Sequence, residues 1–146
     1  MNDSSRSSDR PDVDVWHEFG DRFVIDIRGH ELWVDQPVGD GGGDLGPTPT
    51  ELFVASLASC AGFYAGRFLR RHGLSPDGLR VACRFDMAED RPARVRSITL
   101  AVSVGAALSP SQREALQRVV EHCTVHNSIR LSPEIGIEVE GAAVAA

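Results

Sequence analysis

Thr48–Gly73 reads TPTELFVASLASCAGFYAGRFLRRHG, and this stretch decides the fold. Thr48 can cap a helix with its hydroxyl, Pro49 suits the first helical position, and Glu51 stands at the capping-box position. Gly73 supplies the stop, and Arg67, Arg70, Arg71 and His72 gather toward the negative end of the helix dipole. Between these signals the residues are small or apolar on every side. A helix of that kind is buried on several faces. About 24 residues at ~1.5 Å each make a rod of roughly 36 Å, the width of a small domain. A polar atom in its middle needs a reason, and the conspicuous one is the thiol of Cys60.

Around this helix the chain reads as short strands and two further helices. The segments 13–19, 22–28 and 31–36 are strand-like runs separated by Gly20-Asp21 and Gly29, a meander of hairpins. Residues 37–47 (PVGDGGGDLGP) read as a flexible connection, and they lack the GxxxxGK[ST] pattern of a phosphate-cradling loop. The segments 79–87 and 96–104 alternate strictly and form a second antiparallel hairpin. Ser109-Pro110-Ser111-Gln112 is another capping box, opening an amphipathic helix with Leu116, Val119 and Val120 inward. A short third helix follows within HCTVHNSIRLSP, and EIGIEVE (134–140) closes as a strand. The expected order is βββ-α-ββ-α(α)-β, an α+β fold with a long buried central helix. The expected division is a disordered tail over 1–12, one domain over 13–140 and a loose tail over 141–146.

Composition narrows the chemistry. A 42% hydrophobic and 25% charged chain of 146 residues describes an ordinary soluble domain with a real core. The net charge of −6 argues against a nucleic-acid partner. All 15 basic residues are arginine, so lysine-based covalent and general-base chemistry is excluded. No apolar run approaches the ~18 residues of a membrane span, so no membrane partner is expected. The N-terminal stretch lacks the apolar core of a signal peptide, which points to the cytoplasm. The three cysteines then read as free or catalytic thiols rather than a disulfide framework.

Cys83 lies on the apolar face of its strand and reads as core filler. Cys60 sits mid-helix among Ala58, Ser59, Ala61 and Gly62, small enough to admit another segment. Cys123 stands where one helix ends and the next begins, beside His122 and three residues before His126. A thiol near a helix N-terminus or an imidazolium ionises readily and becomes a nucleophile. Spacing alone leaves two readings open: a functional pair, or two inert buried cysteines. Two other readings compete. His122, Cys123 and His126, with Cys60, could form an N/S metal set, although the paired CxxC of a zinc site is missing. Alternatively Phe53, Phe63, Tyr64 and Trp33 could line a pocket for a small ligand in a non-catalytic protein.

GPTPTELFVASLASC, followed some sixty residues later by HCTVHNSI and the terminal EIGIEVE, resembles the OsmC/Ohr family of osmotically inducible and organic-hydroperoxide-resistance proteins. The resemblance covers roughly Val13 to Glu140. It implies an intertwined homodimer that needs no cofactor. It also implies thiol peroxidase activity on an organic hydroperoxide, with a dithiol reductant to restore the enzyme. Cys60 matches the peroxidatic position and Cys123 the resolving one, so that a Cys60 sulfenic acid is resolved as a Cys60–Cys123 disulfide. The family's thiolate-supporting arginine falls at Arg22, with Arg28 a second candidate. The family glutamate directly after the helix-start proline is replaced here by Thr50, and the carboxylate comes one residue later, at Glu51.

Overall fold

The computed structural model describes residues 11–142. The tails expected at 1–12 and 141–146 therefore lie largely outside the described residues. The elements are β1 (Asp14–Phe19), β2 (Arg22–Ile27), β3 (His30–Val34), α1 (Pro49–Arg71), β4 (Arg80–Met87), β5 (Val95–Ser103), α2 (Pro110–Glu121) and α3 (Thr124–Arg130). The fold is α+β, as the patterning predicts. The chain divides into two compact units: one holds the chain up to Ser56 with Cys83–Thr99, the other Leu57–Ala82 with the chain from Leu100.

In the first unit β1, β2 and β3 form an antiparallel meander. The turn after β2 needs left-handed backbone at two consecutive residues, and Arg28 and Gly29 adopt it (φ 56° and 89°). The start of α1 forms the expected box: the Thr48 N–H donates to Glu51 Oε2 at 2.8 Å, and the Glu51 N–H donates to Thr48 Oγ1 at 3.2 Å. At the tip of the β4–β5 hairpin the Ser97 hydroxyl donates to Asp86 Oδ2 at 2.9 Å.

The glycine loop differs from expectation. It is not a slack connector but is built around the buried carboxyl of Asp35, which is 3% exposed. Backbone N–H groups of Gln36, Gly43 and Leu45 donate to that carboxyl at 2.8, 3.1 and 3.2 Å. A single 3₁₀ turn spans Val38–Asp40. Gly46 passes so close to β3 that an added Cβ would sit 2.3 Å from the Trp33 carbonyl oxygen. The sequence showed glycines, but not that an aspartate eight and ten residues upstream of two donors would organise them.

In the second unit α1 ends in a Schellman closure. The Leu74 N–H donates to the Leu69 carbonyl at 2.9 Å and the Gly73 N–H to Arg70 at 3.1 Å, with Gly73 at φ 68°. Ala65, Phe68 and Leu69 of α1 are buried with Leu116 of α2, and Leu74, Leu79, Val102, Val119 and Val120 pack against them. The Ser109 box is formed in both directions, so α2 starts where the sequence places it. Gly62 admits Val81, and Gly66 admits Leu79; an added Cβ at either would meet ordinary van der Waals contact at 3.6 and 3.5 Å.

Three expectations change. The strand expected over 134–140 does not form: among the described residues the segment pairs with no strand, and Ile135, Ile137 and Val139 are 80%, 85% and 92% exposed. Alternation marks a segment fit to be a strand, but it cannot provide the partner. Along α1, Phe53 and Phe63 are also exposed, so the apolar surface exceeds what one chain covers. Finally, α1 is long and apolar enough, by length and composition, to cross a membrane, with an 18-residue window of mean hydropathy 1.4. Averaged hydropathy tolerates the Ser and Gly residues that interrupt the run. A packed core helix passes the same test, and the buried side of α1 is such a core.

Asp35 yields a test of the loop. Burial works against its charge, but the N–H donors of Gln36, Leu45 and Gly43, with the Arg22 charge, hold its carboxyl below the usual range. A depressed carboxyl stabilises the fold above its unfolded pKa of about 3.9, and that contribution disappears as pH falls through the lower folded value. Asp35→Asn should therefore lower the thermal midpoint at pH 7, with the gap to wild type closing below about pH 4. A gap that stays constant from pH 7 to pH 3 would contradict this.

Candidate functional site

Cys60 and Cys123 come together. Both thiols are free; Cys60 is half-buried and Cys123 is fully buried. Their side chains are close enough for Cys60 to act on the Cys123 thiol. The meeting follows from local structure. Packing of Leu116 on Phe68 and Leu69 lays α2 along the second half of α1. After α2 ends at Glu121, the chain turns through His122, whose Nδ1 donates to the Arg118 carbonyl at 2.7 Å. Cys123 then becomes the N-cap of α3. One turn along α1 from Cys60, the Tyr64 hydroxyl lies 2.8 Å from Thr124 Oγ1 and ties the start of α3 in place.

The two sulfurs are not equivalent. Burial pushes the Cys123 thiol up, and the neighbouring Cys60 pushes it further. The Val125 and His126 N–H groups at the start of α3 oppose this, although they form no side-chain cap and do not reverse the direction. Cys123 thus keeps its proton, while Cys60 is the member that solvent reaches. Among the described residues Cys83 makes no such pair: burial raises its thiol too, and its S–H donates to the Arg84 carbonyl at 3.9 Å.

Arg22 opens β2 in the first unit. Its Nε lies 2.7 Å from Glu18 Oε2, and its guanidinium covers the Trp33 ring at 5.4 Å. The ion pair is close, but the Nε–H points away from the carboxylate and is left, among the described residues, without an acceptor. Glu51 is engaged with Thr48 in the capping box; the carboxylate paired with Arg22 is Glu18, and the Arg22 charge also acts on Asp35. Sequence reasoning missed Glu18. The signal was the tight Gly20-Asp21 turn, which sets Phe19 opposite Arg22 and returns β2 alongside β1. Arg28 sits exposed at a hairpin turn. Among the described residues no three His, Cys, Asp or Glu side chains gather as a metal set, so His122, Cys123 and His126 do not converge on one ion.

The asymmetry of the pair has a direct consequence. In the reduced native protein at pH 8, iodoacetamide should label Cys60 well before Cys123, and Cys123 only after denaturation. Peptide mapping against time checks this; equal or reversed labelling would contradict it.

The comparisons agree with this architecture. Residues 41–138 match the model of the OsmC family, described as OsmC-like protein. A candidate osmotic-stress-induced and detoxification-response protein of Psychrobacter arcticus 273-4 is 24% identical, with 82% of this chain and 88% of that chain covered and a TM-score of 0.75. An organic hydroperoxide resistance protein OsmC of Legionella pneumophila is 18% identical over 81% and 87% of the two chains, TM-score 0.63. The organic hydroperoxide resistance protein OhrB of Bacillus subtilis is 18% identical over 82% and 90%, TM-score 0.60. At such identities these structures share the fold. No curated protein matches the chain in sequence. The family model spans both halves of the central helix, the Cys60 and Cys123 segments and the packing between them, and the chain belongs to the OsmC-like protein family.

Proposed function

We propose that this chain is a thiol-dependent peroxidase acting on organic hydroperoxides. The observation that carries the reading is the closeness of the Cys60 and Cys123 side chains, sixty-three positions apart in sequence, one reachable and one buried with its thiol pushed up. Family membership supports hydroperoxide-related redox chemistry in general terms.

In this reading the Cys60 thiolate attacks the terminal oxygen of ROOH. The O–O bond breaks, ROH leaves with a proton, and Cys60 becomes a sulfenic acid. The sulfur of Cys123 then attacks the Cys60 sulfur, the S–O bond breaks, and water departs with the Cys123 proton. A dithiol reductant exchanges with the resulting disulfide and returns both thiols, leaving as its own disulfide. The protonated state of Cys123 suits a resolving residue: it can hydrogen-bond a thiolate without competing for the peroxide. Arg22 is assigned the supporting positive charge, with Glu18 as its carboxylate partner; Glu51 serves α1.

The same reading places the protein in the cytoplasm, where thiols stay reduced. It also makes the protein a homodimer. The segment 134–140, exposed at Ile135, Ile137 and Val139 and unpaired within its own chain, suits addition to a sheet edge of a second copy.

The kinetics separate the two cysteines. With cumene hydroperoxide and excess dithiothreitol, Cys60→Ser should abolish turnover. Cys123→Ser should still reduce about one equivalent of peroxide per protein and then lose sustained turnover, as Cys60 oxidises further. Undiminished peroxide consumption by Cys60→Ser would reject the assignment.

A further inference from the structure

A groove in the second unit, between α1 and α2, takes no part in the thiol chemistry above. Its volume is about 340 Å³, near the lower end of the roughly 300–1,000 Å³ of small-molecule sites. Tyr64, Arg67, Phe68 and Arg71 line it from α1, and Ala115 and Val119 from α2. The α1 residues are three and four apart, so they share one helix face. The Tyr64 hydroxyl is already engaged with Thr124. Just past α1, His72 stacks on Phe68 with ring centroids 4.1 Å apart, its Nδ1 donating to the Phe68 carbonyl at 2.9 Å. His72 lines the groove too, so the lining is apolar and aromatic apart from the two guanidiniums and the imidazole.

Those guanidiniums are the unexplained feature. Arg67 and Arg71 stand one turn apart, exposed, and among the described residues neither has a carboxylate within 4.0 Å. Arg67 rests over the Phe63 ring at 5.6 Å. In a chain of net charge −6, acidic partners are plentiful, and among the described residues this pair has none. Service to the helix dipole accounts for it poorly. Arg70 is also in the last turn, and the carbonyls of Phe68, Leu69 and Arg70 are already occupied by the N–H groups of His72, Gly73 and Leu74.

We propose that this groove binds an amphipathic carboxylate. Its apolar body lies against Phe68, Ala115 and Val119, and its carboxylate is held by Arg67 and Arg71 through paired charge-assisted hydrogen bonds. At about 30 Å³ per non-hydrogen atom, taking the volume of a water as the guide, the groove holds roughly eleven such atoms, close to the size of a nine- or ten-carbon acid. A wholly hydrophilic anion would meet the arginines but gain nothing from the apolar floor and lose hydration against it. An uncharged alkyl chain would leave the two cations unused.

Isothermal titration calorimetry on the reduced wild-type protein, with no peroxide present, tests this with sodium decanoate, decan-1-ol and inorganic phosphate. Decanoate should bind at one site per chain, decan-1-ol at least about tenfold more weakly, and phosphate without measurable heat. Arg67→Gln and Arg71→Gln should each weaken decanoate about tenfold, the loss of one charge-assisted bond. Val119→Trp, which fills the groove and leaves both arginines in place, should also block binding. Absence of decanoate binding, equal binding of decan-1-ol or phosphate, or decanoate affinity unchanged in both arginine variants would overturn the proposal. None of these results depends on the fate of Cys60, so the peroxidase reading is tested separately.

Discussion

Everything in the site depends on the packing of α2 against the second half of α1. Leu69 is fully buried, and with Ala65, Phe68 and Leu116 it fixes how the two helices lie. Burying such side chains contributes about 1.5–3 kcal/mol each, against marginal overall stabilities, so this seam is not easily rearranged. Once α2 is laid down, the chain leaving its C-terminus has little freedom. The His122 turn and the start of α3 deliver Cys123 to Cys60, and the Tyr64–Thr124 contact holds the junction. The chemistry proposed for the protein is a consequence of that apolar seam more than of any polar motif.

The seam also explains the division of labour between the thiols. Cys123 lies under the junction, out of water, where an anion is costly and a proton is retained. Cys60, on the helix that faces it, keeps partial access. The same face of α1 continues one turn on into the groove of Arg67 and Arg71, where two cations with no carboxylate partner among the described residues meet an apolar floor. A helix that supplies a redox sulfur and, further along, an anion-binding pair can serve two ligands or two parts of one.

Much of this was legible in the residues. Thr48, Glu51, Ser109 and Gln112 marked both long helices, and the boxes form as written. Strict alternation found β4 and β5, and the motifs around Cys60 and Cys123 found the pair. What escaped had physical causes. The loop over 37–47 is organised by Asp35, a single side chain reaching donors eight and ten residues away, which no local pattern records. The Arg22 partner is Glu18 because a tight hairpin turn brings β2 back beside β1; the carboxylate at Glu51 is committed to its own helix. The strand expected over 134–140 had the alternation, but among the described residues it pairs with no strand. Periodicity describes what a segment can do, and pairing decides what it does.

The most direct test of the account is a disulfide map. Reduced protein would be treated with one equivalent of cumene hydroperoxide, blocked with iodoacetamide and digested without reductant, then read by mass spectrometry. The account predicts a single new species, a Cys60–Cys123 intramolecular disulfide, with Cys83 alkylated. Over-oxidised Cys60 beside an alkylated Cys123, or a disulfide that involves Cys83, would contradict it.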